Sequence, residues 1–495
     1  RLTEPYRKPL FHLEYETRPD SAAYLKHVDG AYKDRNIDYY YMHQASETVD
    51  EWFRKYPNHV GDFESTLLNA TKVIWYEVGE SEEQVEIFTR LNIGKIPLTN
   101  SELIKALLLK SSNFGQEDKD RVRLKQLQVA SEWDRIEYTL RDDAFWYFLY
   151  NSTAPGYDNR IEYIFDLMSG KTGTSPEKHS FYWFSEEFEK LKKEQGGAAQ
   201  AIDSIWLTVK KYFLTFEEWY NDRYLYHNIG FLICSGTSVY QLLKIKEAST
   251  DKQDFKRRLL LEVKTRVNCN IEELEYGDKR IKTLLLLFNI KTILSDSKSN
   301  MRFPFDLFKK ENWDVEHVRS QKDKEITVGF RKVWVKDMLE YFTGKTQLEE
   351  VEAAIEEMNP EEREIPEALY QLWQADKIET EQFQKVFVSV AREFEEDSEL
   401  DIASISNLAL LDATTNRSYK NAFFPVKRRH ILDNDKRGVF VPICTKNVFM
   451  KAYSKKIDKM MHWGKSDAEE YLKAIQETLK PYLPIQEEKH GKRTK

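Results

Sequence analysis

Apolar residues along this chain change their spacing from one region to the next, and the changes divide it. Between about residues 120 and 300 they fall at helical spacing. Trp133, Trp146, Phe148 and Tyr150 lie in one aromatic stretch, and Ile205, Trp206, Val209, Tyr212 and Phe213 in another. This period predicts amphipathic helices whose aromatics build a core. The longest apolar run, Thr283 to Phe288, suits a buried helix. It is far short of the roughly 20 residues that cross a bilayer. Near the N-terminus, Leu10 to Tyr15 and Val73 to Val78 carry the aromatic and branched residues of strands. Glu82 to Leu91 predicts a helix with Val85, Phe88 and Leu91 on one face, and Asn92-Ile93-Gly94-Lys95 a turn. A further helix is expected from Glu102 to Lys110, capped by Thr99 or Asn100. Ser169 to Pro176 and Glu194 to Ala199 read as loops.

These patterns predict a multidomain, mainly α chain. Residues 1–115 form a mixed α/β part, residues 116–300 a helical middle, and residues 301–482 a third unit, with a charged tail at 483–495. The third unit is interrupted by an acidic helical block from Lys345 to Glu399, which contains Glu349-Glu350, Glu356-Glu357 and Glu361-Glu362. Such runs form a solvated helix face. A length of 495 residues exceeds one compact core. The net charge of -8 excludes a protein that coats nucleic acid over its whole surface, although it leaves room for a local basic groove. Cys234, Cys269 and Cys444 are too dispersed for a disulfide framework or a C-x-x-C zinc site, which points to a reducing, cytoplasmic setting. No signal segment opens the chain and no membrane partner is expected. Because it begins at Arg1 rather than Met, further residues are expected upstream.

The candidate chemistry lies in the third unit. Trp313-Asp314-Val315-Glu316-His317-Val318 sets a carboxylate directly before an imidazole at the end of a short apolar stretch. Later, Asn407 precedes the strand-like Leu408 to Leu411, and Asn416 follows in a polar turn. A carboxylate and an amide oxygen hold a hard divalent ion such as Mg2+ or Mn2+. An imidazole accepts a proton from water. Together they are the requirements of a one-metal nuclease in which a strand ends at the base, a second strand follows, and an early helical asparagine reaches the ion. Glu316 and Asn416 are then the ligands, His317 the base, and Asn407 the residue that holds local geometry. The basic segment Lys420 to His430 adds Lys420, Asn421, Arg428 and Arg429 as DNA-backbone contacts, with Lys427 as a residue that stabilises the transition state.

The order of these segments resembles the C-terminal nuclease domain of the GmrSD-type, modification-dependent restriction endonucleases. That domain carries an E/D-H-I segment, a G-N-L-x-L-L-x-x-x-x-N segment and N-x-x-F-x-x-K. Here they stand as Val315 to Val318, Ser406 to Leu411 with Asn416, and Asn421 to Lys427. Ser320 replaces the usual proline and Ser406 the usual glycine. Tyr15-Glu16-Thr17-Arg18 and Glu86 to Thr99 are similar to the family's ParB-like domain, although its D-G-Q-Q-R signature is not in this sequence. The resemblance implies a ParB-like N-terminal part and a C-terminal ββα-metal (His-Asn-His) nuclease with a helical insertion. It also implies a nucleoside triphosphate that gates cleavage of modified or foreign DNA. Arg18, Asn92 and Gly94 are the candidate nucleotide contacts. Two other readings stay open: a nucleotide-sensing regulatory protein with a degenerate nuclease site, and an RNA-cleaving toxin.

Overall fold

The computed structural model describes residues 19–73, 98–110, 119–152, 156–320, 326, 328–345, 347–393, 400–413, 422–455 and 460–484. The segments expected at Leu10–Tyr15, Glu82–Leu91 and Asn92–Lys95 lie outside these residues, as does nearly all of the tail. Of Val73–Val78 only Val73 is described, and it is in no strand. The chain divides into two compact units, one of Arg1–Trp146 with Ala154–Glu218 and one of Tyr147–Thr153 with Trp219–Lys495. No helix among the described residues is long and apolar enough to cross a membrane.

The described part of the first unit is helical: α1 (Pro19–Lys26), α2 (Ile37–Lys55), α3 (Asn100–Leu109), α4 (Lys119–Arg141), α5 (Glu162–Ser169), α6 (His179–Glu194) and most of α7 (Ala198–Asn221). Thr99 caps α3 in a reciprocal box. Its hydroxyl accepts the Glu102 N–H, and the Glu102 carboxylate accepts the Thr99 N–H at 2.8 Å. The predicted aromatic stretches form the core, in which Trp133 of α4 stacks on Trp206 of α7 with ring centroids 5.9 Å apart. Ile136, Leu140, Phe165, Phe184, Val209 and Phe213 are buried in the same unit.

The second unit is organised around one helix. It contains α8 (Arg223–Cys234), α9 (Val239–Glu247), α10 (Lys252–Arg266), α11 (Lys279–Ser295), β1 (Trp313–His317), α12 (Arg331–Thr343), α13 (Leu348–Glu357), α14 (Pro360–Gln374), α15 (Thr380–Glu393), β2 (Leu408–Asp412), α16 (Phe424–Lys436), α17 (Ile443–Phe449) and α18 (Lys465–Leu479). Helix α11 is buried on nearly every side, from Ile281 through Ile293. An all-round apolar helix has to be enclosed, and α11 is packed by α8, both strands, α17 and α18. Its one buried amide is satisfied, since Asn289 accepts the Cys444 N–H at 2.9 Å and donates to the Leu285 carbonyl. The domain break expected at residue 300 therefore does not coincide with the division between units: the helices after residue 219 share a compact unit with the strands.

Strands β1 and β2 pair antiparallel, with Trp313 opposite Asp412 and His317 opposite Leu408. A two-stranded ribbon is marginal alone. Here its outer carbonyls are engaged from the surrounding helices. Lys282 donates to the Trp313 carbonyl, Thr445 to that of Leu410 and Tyr471 to that of Leu408. The acidic block between the strands is helical, as its pattern predicts, and is anchored by Trp334 of α12 against Phe383 and Phe387 of α15.

Gly230 of α8 lies under the ring of Phe305, and a Cβ there would sit 2.2 Å from the nearest ring carbon. Overpacking of this kind costs about 1–3 kcal/mol. Gly230→Ala is expected to lower the unfolding free energy by that amount in urea titration. Phe305→Leu in the same chain should recover part of the loss.

Candidate active site

The site grows out of the end of β1. Side chains alternate across a strand, so Asp314 and Glu316 face one side while Trp313, Val315 and His317 face the other. The ladder continues past the strand: the Val318 N–H donates to the Asn407 carbonyl at 2.8 Å. Fully buried Asn407 then takes over with its side chain. Its Oδ1 accepts the Arg319 N–H at 2.9 Å, and its Nδ2 donates to the carbonyls of Arg319 and Ile402 at 3.0 and 3.1 Å. The amide thus stands in for one more backbone pair and fixes the chain two residues beyond His317. Ser320, at the position where the family resemblance calls for proline, donates to the Ala422 carbonyl at 2.8 Å. That bond ties the segment after β1 to the entry of α16.

Helix α16 starts with Pro425 in its first turn, where a missing N–H costs nothing. Its buried face carries Phe424, Val426, Lys427 and Ile431. Lys427 is 0% exposed, with Nζ 2.6 Å from Glu316 Oε1 and 2.6 Å from the His317 carbonyl. Burial pulls its ammonium below the ordinary lysine range, and the Glu316 carboxylate opposes that pull. The second Glu316 oxygen has no hydrogen bond among the described residues.

The structure thus brings together four of the residues singled out in the sequence: Glu316, His317, Asn407 and Lys427. Asn416, Lys420 and Asn421 lie outside the described residues, as do Arg18, Asn92 and Gly94. Two of these residues have partners within the fold. Lys427, expected to stabilise a transition state, is buried behind β1 and holds Glu316. Arg429, expected on the DNA backbone, donates to the Glu340 carbonyl at 2.8 Å and pairs with the Glu340 carboxylate at 2.6 Å. Arg428 is half-buried beside it. Among the described residues no three His, Cys, Asp or Glu side chains converge into a metal cage. A divalent ion here would depend on Glu316 together with amide or carbonyl oxygens, a donor set that fits a hard cation.

Sequence reasoning missed Tyr276. Its ring centroid is 4.2 Å from that of His317, inclined at 45°. The only local signal is Gly277-Asp278 after it, which marks a turn and a helix cap but says nothing about which residue the ring meets. Asp337 of α12 was missed too. It lies 3.9 Å from His430 of α16. Burial, reinforced by Glu340, pushes its carboxyl up to about 7.

Two measurements follow from these contacts. Removing one member of a buried pair costs about 3–5 kcal/mol because the other charge is stranded. Lys427→Met is therefore expected to destabilise the protein by that order in urea, and the double variant Glu316→Gln/Lys427→Met by clearly less. A double loss equal to the sum of the separate Lys427→Met and Glu316→Gln losses would show that the pair is not coupled. Asp337 holds a proton in the folded state that the unfolded chain releases above about pH 3.9. Folding stability therefore falls as pH rises from about 4 to 7, and the loss is complete above the folded value. Asp337→Asn removes it. The variant should exceed the parent by about 2–4 kcal/mol at pH 8, with the advantage shrinking toward pH 4.

No family model matches this chain, and neither a curated protein nor a solved structure was found that matches it.

Proposed function

We propose that this chain is a metal-dependent endonuclease of the His-Asn-His type that hydrolyses DNA phosphodiester bonds. The observation that supports this reading is the joint geometry of adjacent Glu316 and His317. They end a strand whose partner is clamped to it by Asn407, and a following helix fixes the carboxylate through Lys427. A strand, a second strand and a helix around one carboxylate–imidazole pair is the arrangement that this chemistry uses.

In this reading His317 accepts the proton of the attacking water. Asn407 holds the backbone beyond His317, so that the strand end does not shift as the proton moves. Lys427 restrains one Glu316 oxygen and leaves the other to face a cation. Glu316 with Asn416 would hold Mg2+ or Mn2+. When bound, the ion supplies positive charge at the scissile phosphate and its leaving oxygen. Lys420, Asn421, Arg428 and Arg429 are the backbone contacts of this reading. The resemblance in the sequence extends it to restriction of modified or foreign DNA, gated by a nucleoside triphosphate at the N-terminal part, in the cytoplasm.

One observation favours a second reading. The Glu316 charge is already compensated by Lys427, as it would be in a regulatory protein whose nuclease site has decayed. Cleavage of plasmid DNA with Mg2+ separates the two. The nuclease reading expects nicking or cutting that chelator abolishes and Mg2+ or Mn2+ restores. It expects His317→Ala to lower the rate about 10²–10⁴-fold, the usual contribution of a general base, in a variant that still folds. Equal cleavage by parent and variant, or cleavage that resists chelator, rules the assignment out.

A further inference from the structure

The side chain that covers the candidate base comes from a distant part of the chain. Tyr276 precedes α11, and its backbone is fixed on both sides. Its N–H donates to the Ala403 carbonyl at 2.8 Å, and Glu275 forms an isolated bridge with Ser404. Gly277, at φ +101°, makes the turn that follows, and Asp278 caps α11 by accepting the Arg280 N–H. Residues 403 and 404 lead directly into Asn407, so the loop carrying Tyr276 and the amide clamp on β1 share one anchor. The ring lies 4.2 Å from the His317 imidazole and is 44% exposed, whereas His317 is 8% exposed. An aromatic ring this close limits how far the imidazole can rotate about its side-chain bonds.

We propose that Tyr276 is a positioning residue for His317: its ring sets the plane of the imidazole and closes part of it to solvent. This rests on the nuclease reading only for its effect on cleavage. The contact is made by the ring, so the hydroxyl is dispensable to the role.

The test uses the full chain labelled at histidine, with the His317 resonance assigned by its absence in His317→Gln. Tyr276→Ala should move the His317 ring protons downfield as the aromatic shielding is lost, while Tyr276→Phe should leave them near the parent positions. In cleavage assays Tyr276→Ala should lower kcat about 10- to 100-fold, the scale of a misplaced catalytic group. KM should stay within about twofold, since the ring is assigned no part in uniform binding, and Tyr276→Phe should restore kcat. An unmoved His317 resonance in Tyr276→Ala overturns the proposal whatever the activity. A moved resonance with unchanged kcat, while His317→Ala is inactive, overturns it as well. A parent that cuts nothing under any metal refutes the nuclease reading and with it the effect on cleavage, and the resonance then still decides whether the ring orients the imidazole.

Discussion

A full positive charge in a protein interior is tolerable only where acceptors surround it. Among the described residues Lys427 is met by two oxygens, one from the Glu316 side chain and one from the His317 backbone. Helix α16 cannot dock without them, and β1 cannot leave its place without stranding the ammonium. The fold of the second unit and the orientation of its candidate carboxylate are therefore one energetic problem. Asn407 couples β2 to the same point, because its amide is satisfied only when the chain beyond His317 lies against it.

Much of this was legible in the sequence, for identifiable reasons. Thr99 and Glu102 sit at the spacing of a reciprocal cap, so the start of α3 could be read from four residues. The apolar Thr283–Phe288 run has no polar face, which requires an enclosed helix, and α11 is one. Asn407 before a branched run located the start of β2. What could not be read depends on contacts between distant segments. Lys427 sits in a segment rich in Lys and Arg whose composition suggests solvent, and only its placement behind β1 shows it buried. Tyr276 and His317 meet because a turn before α11 bridges to Ser404, and no local pattern encodes that bridge. Arg429 looked available for phosphate because Glu340, its partner, lies on another helix of the insertion.

The helical block between the strands bears on how the site can assemble. Asn407 and Arg319 are 88 residues apart in sequence. Closing so long a loop from an unfolded chain is entropically costly, although the cost grows only slowly with length. Trp334 of α12, just ahead of the block, packs on Phe383 and Phe387 within it, and this aromatic contact shortens the span that separates the strand ends. The α12 end also reaches α16 through Glu340 and Arg429, which links the insertion to the helix that fixes Glu316.

The side chains that engage the ribbon's outer carbonyls have a further consequence. A two-stranded sheet exposes two edges, and each is a template on which another chain can add a strand. Tyr471 and Thr445 occupy carbonyls along the outer side of β2, and Lys282 occupies one on β1. Acceptors that an incoming strand would need are already taken by groups anchored in α11, α17 and α18. The ribbon is thus terminated by chemistry as well as by length, and a neighbouring molecule finds fewer open acceptors there on which to start a shared sheet.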